Sequence, residues 1–143
     1  MANGDVFYAW WLSPGALGQH VLGATQDEIM GERNPGPGPT DGLDVFFGDE
    51  TGETASGGLG GDTLNGFGGN DILNGGIGND TLRGGTGDDI LHGDGDTDQL
   101  TGGDGNHVMF GGDGDDSLIN GCTSDVNNDT FNGGAGNDDF ISA

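Results

Sequence analysis

A nine-residue register runs through the middle of this chain without a slip, and it restricts the possible folds more than any other feature. From Gly57 to Ile119 the sequence reads GGLGGDTLN, GFGGNDILN, GGIGNDTLR, GGTGDDILH, GDGDTDQLT, GGDGNHVMF and GGDGDDSLI. The eighth place of every unit is apolar: Leu64, Leu73, Leu82, Leu91, Leu100, Met109 and Leu118. Two places earlier stand Asp62, Asp71, Asp80, Asp89 and Asp98, then His107, then Asp116. The first six places are mostly Gly, Asn and Asp, which tolerate positive φ and make turns. The last three alternate outward, inward, outward as a short strand. Two strands and two turns close one coil, so eighteen residues make a circuit and alternate units stack.

The register extends beyond these units. Counting nines upstream from Leu64 reaches Ala55 and Phe46, which puts Glu53 and Asp44 at the aspartate place. Asp27-Glu-Ile-Met-Gly31 repeats the end of a unit and is followed by an eight-residue insertion, Glu32 to Pro39; Asp5-Val6-Phe7-Tyr8 resembles Asp44-Val45-Phe46-Phe47. Residues 1–56 are thus expected to be degenerate coils or a cap with an aromatic segment, 57–119 seven in-register repeats, and 120–143 an interrupted eighth repeat and a final one. The alternative for the N-terminal part is a helix over Pro14–Met30, opened by Ser13-Pro14, against which stand Gly15, Gly18 and Gly23. Downstream, Asn120–Asn128 adds four residues before Asp129-Thr-Phe131-Asn132 restores the pattern and GGAGNDDFI repeats it.

Charge sets the chemistry. Arg33 and Arg83 are the sole cationic side chains apart from histidine, and the net charge is −23 over 143 residues. A chain so acidic repels itself and does not favour nucleic acid or anionic lipid. Two apolar side chains per circuit are too few to order eighteen residues on their own. Metal binding must therefore form part of the folding free energy. Hard carboxylate and carbonyl oxygens suit Ca²⁺, whereas softer metals want clustered Cys or His. Glycine supplies 35 residues, but with four prolines and no G-X-Y period, collagen is excluded.

In these repeats the chain resembles the RTX β-roll family, with its GGxGxDxUx nonapeptide, over most of residues 40–141. The resemblance implies an all-β fold, a right-handed parallel β-roll (a β-helix or solenoid) with several Ca²⁺ ions between stacked glycine-rich turns. It implies sixth-place ligands Asp44, Asp62, Asp80, Asp98, Asp116 and Asp138 on one side. The other side would stack Asp27, Glu53, Asp71, Asp89, His107 and Asp129. Carbonyls of Gly58, Gly60, Gly76, Gly78, Gly85, Gly87, Gly112 and Gly114 would complete the shells. His107 breaks the pattern, since a neutral imidazole is a poor calcium ligand, so the sites shared with Asp89 and Asp129 are expected to be weak, empty or water-filled. Unit five exchanges turn glycines for Asp94 and Asp96, and Phe67 stands where a turn glycine is usual.

No H-E-x-x-H or G-x-S-x-G motif is present, and His20, His92 and His107 lie far apart in the register, so no enzyme is expected. No apolar run is long enough to span a membrane, and the N-terminus lacks the basic region of a signal peptide. The family implies export by a type I system to the cell surface or beyond. Cys122 is alone, which excludes an internal disulfide and leaves a free thiol or an intersubunit bond. The expected role is a structural, self-associating extracellular scaffold or filament subunit. Its joints would be the roll ends, with Phe7, Tyr8, Trp10 and Trp11 at one and Phe140 and Ile141 at the other, and the outward ladder Ile72, Ile90 and Val108 with Phe110 nearby. Capping explains the aromatic end equally well, and β-propensity the ladder. The alternative role is a calcium-dependent folding and secretion module of a larger exported enzyme or adhesin.

Overall fold

The computed structural model describes residues 26–30, 42–121 and 127–142, the first of these as backbone alone. The aromatic stretch Val6–Leu12, the proposed strand at Asp5–Tyr8, most of the alternative helix, and Cys122 lie outside the described residues. Among the described residues twelve strands follow one another: β1 (Gln26–Met30), β2 (Leu43–Phe47), β3 (Thr54–Leu59), β4 (Thr63–Gly68), β5 (Ile72–Ile77) and β6 (Thr81–Thr86). They continue as β7 (Ile90–Gly95), β8 (Gln99–Asp104), β9 (Val108–Asp113), β10 (Ser117–Ile119), β11 (Thr130–Ala135) and β12 (Asp139–Ile141). One sheet has the order β1-β2-β4-β6-β8-β10-β12, and the other β11-β9-β7-β5-β3. Every pairing among the described strands is parallel, and from β2 onward the chain crosses to the opposite sheet with each strand and returns one coil higher.

The register expected from the repeat is the register observed. Leu64 stacks on Leu82, Leu82 on Leu100 and Leu100 on Leu118 in the larger sheet, while Leu73, Leu91 and Met109 stack in the smaller. All seven are 0% exposed. They form one continuous core between the sheets, extended downward by Phe46 and Ala55. Phe46 and Ala55 take the inward places of their coil. At the opposite tip the inward places carry Phe131 and Phe140, whose rings lie tilted at 6.0 Å.

Three expectations are corrected. The strands are mostly six residues long, not three, because the first three places of the following unit stay in the ladder: Gly85 pairs with Gly103 and Thr86 with Asp104. Turns shrink to the fourth, fifth and sixth places. Secondly, Asp27 does not join the stack of Glu53; its strand pairs with β2, Asp27 opposite Asp44, in the larger sheet. The two residues are 17 apart, one short of a full circuit, in keeping with β1 and β2 lying in one sheet. Thirdly, residues 26–30, placed in the alternative helix, are strand.

Tight stacking explains the second and fourth places. Gly85 (φ 116°) and Gly87 (φ 122°) adopt a left-handed backbone that side chains disfavour. A Cβ at either would also collide with the carbonyl below, that of Phe67 or Gly69. The backbone holds this conformation even where glycine is absent: Phe67, Asp94 and Asp96 have φ of 72°, 78° and 72°. Phe67 is the costliest of the three, and its ring lies 6.1 Å from that of Phe47.

Because each coil contacts its neighbours alone, a hole in a central coil weakens both interfaces at once. Leu82→Ala is expected to destabilise the calcium-loaded chain by about 2–5 kcal/mol. Phe140→Ala, on the outermost strand and 54% exposed, should cost far less. Urea unfolding followed by circular dichroism compares them; equal losses would contradict the description of the core.

Candidate metal centre

Two edges join the sheets. At the first edge the chain passes from the smaller sheet to the larger, and each turn ends in a carboxylate: Asp62, Asp80, Asp98, Asp116 and Asp138, with Asp44 of β2 below them in the same stack. At the second edge it passes back, through Glu53, Asp71, Asp89, His107 and Asp129. Asp44, Asp62, Asp71, Asp80, Asp89, Asp98 and Asp116 are at most 2% exposed, and Glu53 is buried too. Asp129 and Asp138 are half-buried.

Above Asp44 and Glu53, each of these side chains meets the backbone of the coil below. The N–H of Asp44 donates to Asp62 Oδ1 at 2.7 Å, that of Asp62 to Asp80 Oδ1 at 2.7 Å, and that of Asp80 to Asp98 Oδ1 at 2.8 Å. Asp98 donates to Asp116 and Asp116 to Asp138 in the same way. The second edge repeats it from Glu53 to Asp71 and from Asp71 to Asp89. One oxygen of each carboxylate is thereby satisfied. The other is not: Oδ2 of Asp62, Asp71, Asp80, Asp89, Asp98 and Asp116 is buried with no hydrogen-bond partner. Desolvation of an unpaired anionic oxygen is expensive.

First-place glycines create this arrangement. A Cβ on Gly57, Gly66, Gly75, Gly84, Gly93 or Gly111 would run into Oδ2 of the aspartate five residues later. The carbonyl donors expected at Gly58, Gly60, Gly76, Gly78, Gly85, Gly87, Gly112 and Gly114 are the second- and fourth-place glycines. All eight have positive φ. The first-place role went unrecognised in the sequence, although glycine fills that place in all seven regular units.

A second ladder, also missed, lies one residue earlier. Asp88 donates its N–H to Asn70 Oδ1 at 3.0 Å, Asn106 to Asp88 Oδ1 at 2.9 Å, and Asn128 to Asn106 Oδ1 at 2.9 Å. Thr97 bonds to Asn79 and Asn137 to Asp115 on the first edge. The Asn106 amides hold the exposed Asp88 carboxyl below the usual carboxylate range. A groove on the first edge is lined by Asn79, Thr97, Asp115 and Asn137 together with Asp80, Asp98 and Asp116, which gives the buried carboxylates a route to solvent.

These oxygens fit a hard cation. Among the described residues no three acidic, histidine or cysteine side chains converge on one point, so backbone carbonyls or water must complete a shell of six to eight oxygens. Without a cation, burial pushes Asp62 and Asp80 up to about 6 and Glu53 and Asp98 up to about 7; it also raises Asp71 and Asp116. Glu53 differs from the aspartates, because Thr51 Oγ1 donates to its Oε1 at 2.8 Å. Burial pulls His107 down, but the Asp89 carboxylate, whose Oδ2 lies 3.3 Å from Nδ1, and the charge of Asp129 outweigh it, and the net direction is up.

The pH dependence follows. Carboxylates raised on folding contribute stability that is complete below their unfolded value near 4 and is lost as pH rises through the folded values. In EGTA, β signal in circular dichroism should therefore increase from about pH 8 to about pH 5.5. Calcium competes with the same protons, so its affinity should fall over that interval. A metal-free chain that loses β structure on acidification would contradict this account of the buried oxygens.

Neither a curated protein nor a solved structure matches the chain. The family model for the RTX calcium-binding nonapeptide repeat matches in four copies, over residues 47–82, 75–109, 98–121 and 125–142. Those matches cover the coils whose buried carboxylates keep an unsatisfied oxygen, and the chain belongs to the RTX calcium-binding nonapeptide repeat family, whose repeats bind Ca²⁺ at multiple sites.

Proposed function

We propose that the chain is a calcium-folded structural rod, not an enzyme, and that it works outside the cell, where calcium is plentiful. One observation carries the ligand assignment: six aspartates in register, on both edges, each bury an oxygen that has no hydrogen-bond partner. Asp62, Asp80, Asp98 and Asp116 would bind on the first edge and Asp71 and Asp89 on the second, with the second- and fourth-place carbonyls beside them. Asp44 and Asp138 continue the first stack. Bound calcium supplies positive charge between carboxylates that otherwise repel along the roll. RTX repeats occur in proteins exported by type I secretion, and folding that waits for calcium suits export of an unfolded chain.

The rod reading is supported by the exposed tip. Among the described residues β12 is bonded to β10 alone, and Phe140 and Ile141 are 54% and 47% exposed beside the Phe131 ring. A parallel edge with apolar inward places is a template for a further coil. A second copy stacking there would make a head-to-tail contact that propagates. The ladder Ile72, Ile90 and Val108 is less exposed, Ile72 being at 39%, and serves as a lateral contact at most. The same tip also favours a second reading, a folding module continued by further coils or domains of a larger exported protein.

Two measurements test this. Circular dichroism should change from coil to β when about 1 mM calcium replaces EGTA; a spectrum indifferent to calcium would sink the folding proposal. Light scattering and negative-stain microscopy should show rods that lengthen with concentration, and Phe140→Ser with Ile141→Ser should return them to monomers. Monomers of the unmutated chain at all concentrations would select the module reading.

A further inference from the structure

The second edge departs from the first at two consecutive levels, and both departures put a side chain where the other levels leave an oxygen bare. At the first, His107 replaces the aspartate. Its ring is 0% exposed, and Nδ1 lies 3.3 Å from both the backbone N and the Oδ2 of Asp89. A Cβ on the first-place Gly102 would come within 2.6 Å of the imidazole Cδ2, so the ring fills the space that a carboxylate occupies in other units.

At the next level the aspartate is present but the glycine is not. Asn120 stands at the first place, which is glycine in all seven units before it. Its Nδ2 donates to Asp129 Oδ2 at 2.7 Å, the oxygen that has no partner in six other aspartates. Asp129 Oδ1 meanwhile accepts the N–H of His107 at 2.8 Å, as the repeat requires. Both oxygens of Asp129 are thus satisfied by protein. The interrupted turn makes this possible, since 22 residues separate His107 from Asp129 where 18 separate Asp62 from Asp80. On this edge, too, the fifth-place ladder is continuous from Asn70 through Asp88 and Asn106 to Asn128, so stacked turns keep their register through neutral or exposed groups.

We propose that His107 and Asn120 take the cation's place with their own side chains, so that calcium loading of the second edge ends at Asp89 while the first edge loads along its length. Asp129 then belongs to a protein hydrogen-bond network and not to the calcium shells. The roll is asymmetric: its upper coils are held by metal on one edge and by an imidazole and an amide on the other.

The inference rests on the sixth-place aspartates being the calcium ligands, and the test separates the two. Calcium ions per folded chain are counted by native mass spectrometry and calorimetry for the full chain and for two variants, with circular dichroism in saturating calcium confirming β structure. Asp80→Asn should lose calcium; if it does not, the ligand assignment itself fails. His107→Asp combined with Asn120→Gly restores the repeat at both levels and should bind more ions than the unmutated chain. An unchanged count in the folded double variant, with Asp80→Asn still losing calcium, overturns the proposal and leaves the ligand assignment standing. Should the double variant not fold, anomalous scattering from crystals of the unmutated chain decides: density between the turns of Asp62, Asp80, Asp98 and Asp116 is expected, and density between Asp89, His107 and Asp129 refutes it.

Discussion

The structure depends on a set of anions buried in register. Stacked strands lie about 4.8 Å apart, so successive carboxylates along one edge repel by about 3 kcal/mol at an effective dielectric near 20. That repulsion is comparable to what one buried leucine contributes, roughly 1.5–3 kcal/mol, and each coil buries two such residues against two such contacts. Apolar burial and carboxylate repulsion therefore roughly cancel coil by coil. What remains to oppose chain entropy is the strand ladder and whatever neutralises the carboxylates. Calcium in this family is thus a structural component, and its removal leaves the anions to be neutralised by protons.

The glycines divide their labour around that constraint. At the second and fourth places they supply a left-handed backbone and let turns stack carbonyl against Cα. At the first place they do neither; Gly84 leaves room for the Asp89 carboxylate. Substitutions separate the roles. Asp94, Asp96 and Phe67 replace second- or fourth-place glycines and the chain keeps φ near 70–80°. At the first place the departure within the repeats is Asn120, and there the turn is lengthened and the side chain bonds the aspartate directly.

Much of this was legible in the sequence because the repeat is a physical unit. The eighth-place leucines, the sixth-place aspartates and the eighteen-residue circuit follow from one period, and the ladder Leu64–Leu82–Leu100–Leu118 appears as expected. What escaped were features that single residue types do not announce. A glycine needed for space reads the same as one needed for φ, so the cradle at Gly57 and Gly75 was hidden among the turn glycines. Strand length was underestimated because Gly84-Gly85-Thr86 has turn composition yet remains in the ladder, its neighbours imposing the pairing. The sheet of β1 was misassigned because Glu32 to Pro39 was counted as an insertion between two consecutive units, whereas the 17 residues from Asp27 to Asp44 come close to a full circuit.

The two side-chain ladders also explain how a sheet of such simple strands avoids slipping. A parallel stack of near-identical turns is the case in which register is weakly specified. Here the sixth-place side chain accepts the N–H of the turn below it, while the fifth-place side chain accepts the N–H of the turn above. Each ladder pulls one residue's backbone toward a neighbour's side chain, in opposite senses along the roll. A one-residue slip would break both and expose the leucines in the same step. Metal is needed to neutralise the carboxylates, but register is carried by protein groups, and the second edge, where the fifth-place ladder is continuous, is where His107 and Asn120 displace the carboxylate pattern with least cost to alignment.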